Sequence, residues 1–376
     1  GKKLYSFLPE SVISNIFPSQ GLRVFLPGSV FKKKTHMFTR SLSGTIIKGF
    51  IPVLILMILL AGCRPDDKNT GTAGPAGIKI KSIFIDPLGR KWFATENGLS
   101  VYNDKEWKTY TTRDGLGGNT VFSFAHSGRE SDLVVFTGTS NGVTPVSPGE
   151  EIALLTALHK PGAEAGKDSV LSLSYDPMGY LWMADHNTVA FYHNSSVSEL
   201  PQQIKTIFAQ YYIQAIGSSS DGWNYFGTGS HGVARIKSTP DGISGASLYE
   251  QPWSGLPSMD VFSVLVLENG DQWYGTDAGA VLHEGTLAKQ GWTEINTSHG
   301  LINDTVLCIY KDLKDRIWFG TKGGVCRLMS SAKDSFLQWE SYTTADGLAD
   351  NTVYSIAAES ATVYWFGTGN GISRFD

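Results

Sequence analysis

One short motif recurs along the chain at nearly constant spacing, and this repeat constrains the fold more than any other feature. Its clearest copies are Trp92–Thr95, Trp273–Thr276, Trp318–Thr321 and Trp365–Thr368, each with two aromatic residues, a small residue and a threonine. Weaker copies begin at positions 136, 182 and 225, so that seven copies follow one another 43 to 48 residues apart. A period in the forties with a recurrent aromatic residue is typical of a β-propeller, in which each repeat forms one blade.

Turn residues divide each repeat into four short apolar segments. In the first repeat, residues 81–85 alternate in polarity and end at Asp86–Gly89, a turn in which proline and glycine favour chain reversal. The motif follows, a second turn leads to residues 99–102, and Trp107 marks the fourth segment. We therefore predict an all-β fold, a seven-bladed β-propeller of four-stranded antiparallel blades. The tryptophans are predicted to pack between blades, and the Gly-Thr pair to close the turn between the second and third strands.

The last repeat departs from this scheme. The chain ends at Asp376, on the third predicted strand of the seventh blade, and the residues before position 79 make a poor fourth strand. Two interpretations stay open: the last blade has three strands, or the sequence is truncated.

The N-terminal region has the layout of an export signal. A basic segment after Met37, a natural start, precedes the apolar run 50–60 and the small residues before Cys63. The apolar run is shorter than the roughly 20 residues that span a bilayer comfortably. Residues 60–63, Leu-Ala-Gly-Cys, resemble the bacterial lipobox, which implies that Cys63 is acylated and becomes the mature N-terminus. An uncleaved membrane anchor is the alternative.

These features predict three regions. Residues 1–62 comprise an upstream segment and a lipoprotein signal peptide, and residues 1–36, which precede Met37, are left out of the predicted fold. Residues 63–78 are rich in Gly and Pro and lack an apolar period, so they are predicted to form a flexible tether. Residues 79–376 form the propeller.

The charge distribution argues against a nucleic-acid partner. Residues 1–62 hold eight of the 31 basic residues and one of the 35 acidic residues, so the rest of the chain is acidic. A nucleic-acid-binding surface needs a basic stripe that displaces counterions. Any contact with the membrane is expected through the lipid anchor only.

The cysteines and histidines do not suggest a cofactor. Cys308 and Cys326 fall on the first and third predicted strands of one blade, roughly 9–10 Å apart, which is too far for a disulfide. Both are expected to be buried thiols. The histidines show no tight ligand spacing, so no metal site is predicted.

The full pattern, Asp-x-x-Gly-x-x-Trp-Phe-Gly-Thr-x-x-Gly with Asp-Gly-Leu between units, resembles the two-component regulator propeller repeat. The resemblance covers residues 79–376 and is strongest in blades 1, 5, 6 and 7. It implies a periplasmic ligand-binding sensor domain, which in the best-known relatives detects glycan fragments for a histidine kinase. This chain shows no immunoglobulin-like coupling domain, spanning helix or kinase, so the resemblance implies a standalone sensor-like lipoprotein of the envelope, most simply of the outer membrane.

Residues that break the repeat on the face carrying the turns between second and third strands are the candidate ligand contacts. Together they could form a polar mouth with aromatic edges, suited to a sugar or another polar small molecule. The candidates are Glu96, Arg113, Asp185, His186, Tyr211, Tyr212, His231, Asp277, His299 and Lys322.

Three functions follow in order of preference. The first is non-catalytic binding of an oligosaccharide or another polar small molecule. The second is a lyase similar to the streptogramin-inactivating propellers, for which His231 and His299 are the available pair of a metal ligand and a general base. The third is a platform for an envelope protein partner, which extended apolar patches on the rim would support.

Overall fold

The computed structural model of the chain describes residues 4–7, 74–127, 133–149, 152–160, 168–208, 210–249, 255–285, 291–332, 334 and 336–376. These residues form seven four-stranded antiparallel sheets, and the predicted seven-bladed β-propeller is confirmed. Cys63, the apolar run 50–60, Trp253 and the blade 2–3 connection at 161–167 lie outside the described residues. No helix in the described part of the chain is long and apolar enough to cross a membrane.

The strands are numbered in chain order from β1, Leu4–Phe7, and the next 24 supply blades 1 to 6. Blades 1 to 3 contain β2 to β13: Ser82–Ile85, Lys91–Thr95, Gly98–Tyr102 and Trp107–Tyr110; Val121–Ser127, Val134–Thr139, Gly142–Pro148 and Ile152–Leu154; Ser172–Tyr175, Leu181–Ala184, Val189–His193 and Ser196–Glu199. Blades 4 to 6 contain β14 to β25: Tyr212–Ser218, Trp223–Gly229, Val233–Thr239 and Gly242–Tyr249; Val261–Val266, Gln272–Thr276, Gly279–His283 and Trp292–Ile295; Val306–Lys311, Ile317–Thr321, Val325–Leu328 and Trp339–Tyr342.

Blade 7 draws three strands from the C-terminal repeat: β26, Val353–Ala358, β27, Tyr364–Thr368, and β28, Gly371–Phe375. Its fourth strand is β1, which pairs antiparallel with β28 so that Leu4 lies opposite Phe375. The segment left out of the predicted fold therefore contributes one strand. Nothing in the sequence of β1 indicates this pairing, because the strand belongs to no repeat.

A carboxylate at the first turn of several blades holds the tryptophan of the motif. Asp86 accepts a hydrogen bond from the indole of Trp92 at 2.9 Å, and its other oxygen accepts the backbone amides of Leu88 and Arg90. The Asp-x-x-Gly-x-x-Trp pattern thus encodes both the turn and the partner of a buried indole. Blades 3 and 6 repeat this bond, Asp176 with Trp182 and Asp312 with Trp318, each at 2.9 Å.

The Gly-Thr pair has two separate roles, only one of which was predicted. The hydroxyl of Thr276 donates to the carbonyl of Gly279 at 2.8 Å and so closes the turn, as expected. Gly275 instead makes room for the next blade: a Cβ atom there would lie 2.9 Å from the Val306 carbonyl oxygen and from Val306 Cγ1. Assigning the glycine to the turn was wrong, because its constraint comes from close packing of the neighbouring blade.

Short helices connect some blades at the two Asp-Gly-Leu sequences and at the corresponding His299-Gly300-Leu301. The 3-10 helices Thr112–Asp114, Thr297–His299 and Thr344–Asp346 each begin at a residue whose side chain caps the helix, and each ends at a left-handed glycine. Helix α1, Gln202–Phe208, occupies the connection from blade 3 to blade 4.

Each neighbouring pair of blades buries its own apolar cluster, including blades 7 and 1. The cluster between blades 7 and 1 contains Phe93, Trp107 and Trp365. Beside it the fully buried amine of Lys91 lies 2.6 Å from Asp104 and 2.8 Å from Glu359, which joins the first blade to the last. These contacts close the ring and fix the first strands of all blades around its axis.

Candidate functional site

All seven blades share a buried residue at the N-terminal end of the first strand. A valine or isoleucine at that end, or just before it, is at most 1% exposed in every blade. In five blades the next residue is the extra residue of a β-bulge, and in all seven blades it lines the central cavity. These seven residues, in blade order, are Lys81, Phe122, Leu171, Gln214, Phe262, Leu307 and Tyr354. We call them the channel ring.

The channel ring encloses a cavity of about 370 Å³, to which Lys79, Tyr212 and Ile213 also contribute. Lys79 and Tyr212 each lie two residues before a ring member and line the same cavity as that member. The cavity volume falls within the range of small-molecule sites, roughly 300–1,000 Å³. Four of the side chains are aromatic, and every ring member is partly exposed. The wall can therefore contact a ligand without disrupting the blade cores.

Two lysines of blade 1 lie on this wall above aromatic rings. The ammonium of Lys79 is 4.3 Å from the ring centroid of Tyr354, and that of Lys81 is 4.3 Å from the centroid of Phe122. Burial lowers the pKa of Lys81, the positive charge of Lys79 lowers it further, and the carboxylate of Glu96 partly offsets both effects. The wall therefore carries positive charge within a chain whose propeller region is acidic.

A stacked aromatic pair lies near the cavity on the side of blades 3 and 4. His186, in a turn of blade 3, stacks on Tyr212 with ring centroids 3.9 Å apart and planes 21° apart. Tyr212 lines the cavity and is 44% exposed, and His186 is exposed. Of the candidates predicted from sequence, Tyr212 lines the cavity and His186 extends its aromatic surface.

Glu96 lies beside the cavity and positions its wall. Its carboxylate accepts the backbone amides of Ile78 at 2.9 Å and Lys79 at 3.2 Å. Ala76, in the predicted tether, likewise donates its amide to Ser100, so the chain just before blade 1 is bonded to that blade. Glu96 therefore holds the backbone that carries Lys79 in place.

Tyr211 and His231 lie in packed surroundings away from the cavity. Tyr211 is only 3% exposed and belongs to the core between blades 3 and 4. Its ring lies 4.7 Å from that of His231, whose Nδ1 is 3.2 Å from the carbonyl oxygen of Gly229. Adjacent positions on a strand face opposite sides, which explains why Tyr212 reaches the channel and Tyr211 does not.

Asp185 takes part in a partly buried charge network. The amine of Lys160 lies 2.5 Å from Asp185 and 3.4 Å from the buried Asp168, and so joins the blade 2–3 connection to blade 3. Burial alone would raise the pKa of Asp185, but hydrogen bonds from Lys160, Asn187 and Thr188 lower it. These contacts give Asp185 a structural role in this part of blade 3.

The four remaining candidates lie in connections and do not line the described cavity. Arg113 and His299 belong to 3-10 helices, and the Nδ1 atom of His299 lies 2.9 Å from the capping side chain of Asn296. Asp277 and Lys322 are exposed in turns of blades 5 and 6. The structure therefore does not gather the ten candidates into one site.

The sequence-based search named none of the seven residues of the channel ring, although a signal for them exists. Residues that break the repeat in turns were chosen, whereas the ring varies at one position of the first strand. The residue after the buried valine or isoleucine would have identified all seven members. Aligning the seven repeats places that position in one column of the sequence, directly after the buried residue.

Both cysteines near this region are free thiols on the strands predicted for them, β22 and β24. Cys326 is buried and Cys308 partly buried, and desolvation raises the pKa of each thiol to about 12. The described residues contain no group of three or more His, Cys, Asp or Glu side chains arranged to hold a metal ion.

Comparison with known proteins relates the chain to other propellers by structure. No protein-family model matches the sequence, and no curated protein matches it significantly. PorZ, a surface component of the type-IX secretion system of Porphyromonas gingivalis, is 18% identical, with a TM-score of 0.62 over 80% of this chain and 47% of PorZ. The extracellular domain of the two-component system protein BT4673 of Bacteroides thetaiotaomicron is also 18% identical, with a TM-score of 0.60 over 80% and 38% of the two chains.

Virginiamycin B lyase of Staphylococcus aureus is 16% identical, with a TM-score of 0.56 over 79% of this chain and 94% of the lyase. The chain thus spans less than half the length of PorZ and of the BT4673 domain. The propeller fold is shared with a secretion component, a sensor domain and an enzyme. Because one fold hosts many activities, this likeness establishes architecture alone.

Proposed function

We propose that this protein is a non-catalytic binding module of the bacterial envelope and that its central channel binds a glycan fragment or another polar small molecule. The cavity bounded by the channel ring carries this proposal. Aromatic faces from Phe122, Phe262, Tyr354 and Tyr212 suit the apolar faces of a sugar ring, and Gln214 offers both donor and acceptor atoms to hydroxyls. The side chains come from the first strands of four different blades.

The proposed location rests on the N-terminal sequence and on the kind of protein that shares the fold. The lipobox-like sequence at Cys63 supports an acylated protein held at the outer membrane. Cleavage before Cys63 would remove β1 and leave blade 7 of the mature protein with the three strands β26 to β28. PorZ and BT4673 support a sensor-like or surface role, because one is a surface component and the other an extracellular domain of a two-component system. Replacing Cys63 with alanine should abolish incorporation of labelled palmitate, and unchanged labelling would contradict the anchor.

A thermal-shift screen of the full chain in mild detergent against neutral and acidic oligosaccharides tests binding. We expect one glycan class to raise the melting temperature saturably. Tyr354→Leu should weaken the effect because it removes an aromatic face of the cavity, whereas Leu313→Ser, at a 69% exposed turn residue, should not.

Other outcomes would redirect the function. Degradation of a streptogramin B by the chain, lost in His231→Ala, would favour the lyase. Absence of any glycan effect, together with capture of an envelope protein that Tyr354→Leu leaves unchanged, would favour a protein platform.

A further inference from the structure

The positive charge in the cavity has no carboxylate partner in the part of the chain that the structure describes. There, neither ammonium group, of Lys79 or of Lys81, lies within 4 Å of a carboxylate, and each lies over an aromatic face instead. Elsewhere in this chain, buried lysines are paired: Lys91 has two carboxylates and Lys160 has two. The two channel lysines are partly exposed rather than fully buried, and within the described residues they line the cavity without such a partner.

The nearby carboxylates are already engaged. Glu96 accepts the backbone amides of residues 78 and 79. Asp260, two residues before the ring member Phe262, accepts the amide and hydroxyl of Ser230 at 2.8 and 3.3 Å. A cation–π contact offsets only part of the cost of desolvating an ammonium group, about 0.5–2 kcal/mol. Two like charges on the same cavity wall also repel each other, so an anion between them would relieve both costs.

We propose that Lys79 and Lys81 bind an anionic group of the channel ligand, a carboxylate or a sulfate, while the aromatic wall packs against the ring that carries it. This proposal rests on the proposed function and narrows its ligand to an acidic glycan. Carboxylates and sulfates accept charge-assisted hydrogen bonds, which are roughly twice as strong as neutral ones. Lysine suits either group because it acts as a point charge with rotatable donors.

The pH dependence of binding follows from the protonation of Lys81. An anion binds the charged amine, so its affinity falls as pH rises through the pKa of Lys81. Because burial and Lys79 lower that pKa, the loss begins at a lower pH than for a solvent-exposed lysine. The groups facing Lys81 are the charged Lys79 and Glu96 and the uncharged ring of Phe122.

The first experiment tests the anion site without any sugar. Lysines of the full chain are converted to ¹³C-dimethyl-lysine, which keeps the charge, and inorganic sulfate is titrated while the methyl resonances are recorded. We expect the signals of Lys79 and Lys81, assigned from Lys79→Met and Lys81→Met, to shift saturably before that of the exposed Lys314. Equal, non-saturating shifts at all lysines would overturn the proposal.

The second experiment tests whether a sugar carries the anion. Trigalacturonic acid and its methyl ester share rings and linkages but differ in charge. The acid should bind about tenfold more tightly or better, because it adds at least one charge-assisted bond. Lys79→Met and Lys81→Met should reduce its affinity to that of the ester, and Lys314→Met should not. Equal binding of acid and ester by the unmodified chain would overturn the anion proposal but support glycan binding. Sulfate binding without either sugar would support the anion site and contradict the glycan function.

Discussion

The blade interiors and the channel wall are built from the same seven repeats but differ in how far they repeat. Inside the blades, the indole of the motif tryptophan meets an aspartate at 2.9 Å in blades 1, 3 and 6, and the motif threonine closes its turn in six of the seven blades described. On the channel wall, the corresponding position holds lysine, phenylalanine, leucine, glutamine or tyrosine. The fold therefore requires the interior side chains but leaves the wall free to vary. The packing of the blades therefore does not determine which residue types line the wall.

The strongest test of this contrast is Gly275→Val. The new side chain would meet the carbonyl and Cγ1 of Val306 in the next blade, so we expect a loss of about 3 kcal/mol or more in the free energy of unfolding. The matched control is Gly245→Val, in a strand where a Cβ atom meets nothing within 4 Å. Urea titrations of both variants measure the difference. Equal urea midpoints for the two variants would show that blades 5 and 6 do not pack as closely as described.

Asp312→Asn tests the repeated carboxylate. Burial raises the pKa of Asp312, but hydrogen bonds from the Trp318 indole, the amides of Lys314 and Arg316 and the Tyr364 hydroxyl outweigh it and hold the pKa at about 2. A depressed pKa stabilises the fold above the ordinary aspartate value near 4, and this stabilisation disappears as pH falls towards 2. At neutral pH the variant should lose about 2 kcal/mol.

The deficit of Asp312→Asn should shrink between pH 5 and pH 2, because the native protein loses the same stabilisation there. Glu268→Gln, at an exposed turn, serves as the control and should change little at any pH. A deficit that is constant over this range would contradict the assignment of the low pKa to Asp312.

Exchanging two residues of the channel ring tests whether the fold tolerates substitutions on the channel wall. In the double variant Phe262→Leu with Leu307→Phe, each partly exposed side chain takes a type already present elsewhere in the ring. We expect the free energy of unfolding to change by about 1 kcal/mol or less. A loss as large as that of Gly275→Val would remove the distinction between wall and interior.

The smallest expected effect concerns the two thiols, one of which faces the next blade. Their pKa values near 12 leave almost no thiolate at pH 8, so iodoacetamide should modify Cys308 and Cys326 slowly in the folded chain and rapidly in urea. Peptide-resolved mass spectrometry measures both rates. Rapid labelling of Cys308 before unfolding would indicate that blades 6 and 7 separate.

The sequence predicted the blades well because the repeat exposes their period, and turns with proline and glycine mark the strand ends. It could not predict β1, since a single strand outside the repeats carries no period. The role of Gly275 was also out of reach, because the constraint comes from Val306, which lies 31 residues further along the chain.

The channel cavity was hard to find from the sequence for a different reason. Residues that break a repeat in turns proved to be helix caps, as with His299, or partners of a buried lysine, as with Asp185. Tyr212 lines the cavity close to Gln214. Most of the wall comes from bulge residues of the first strands, which only the aligned blades reveal.

The junction of the first and last blades has a consequence for synthesis of the protein. The buried amine of Lys91 and the apolar face around Phe93 are covered by Glu359 and Trp365, which belong to blade 7 and are synthesised after the first six blades. Blades 1 to 6 can each pack against a neighbour as the chain emerges, but this junction must wait for blade 7. Until then, the apolar face of blade 1 stays exposed in the nascent chain. Chaperones can therefore bind this face for longer than the faces of later blades.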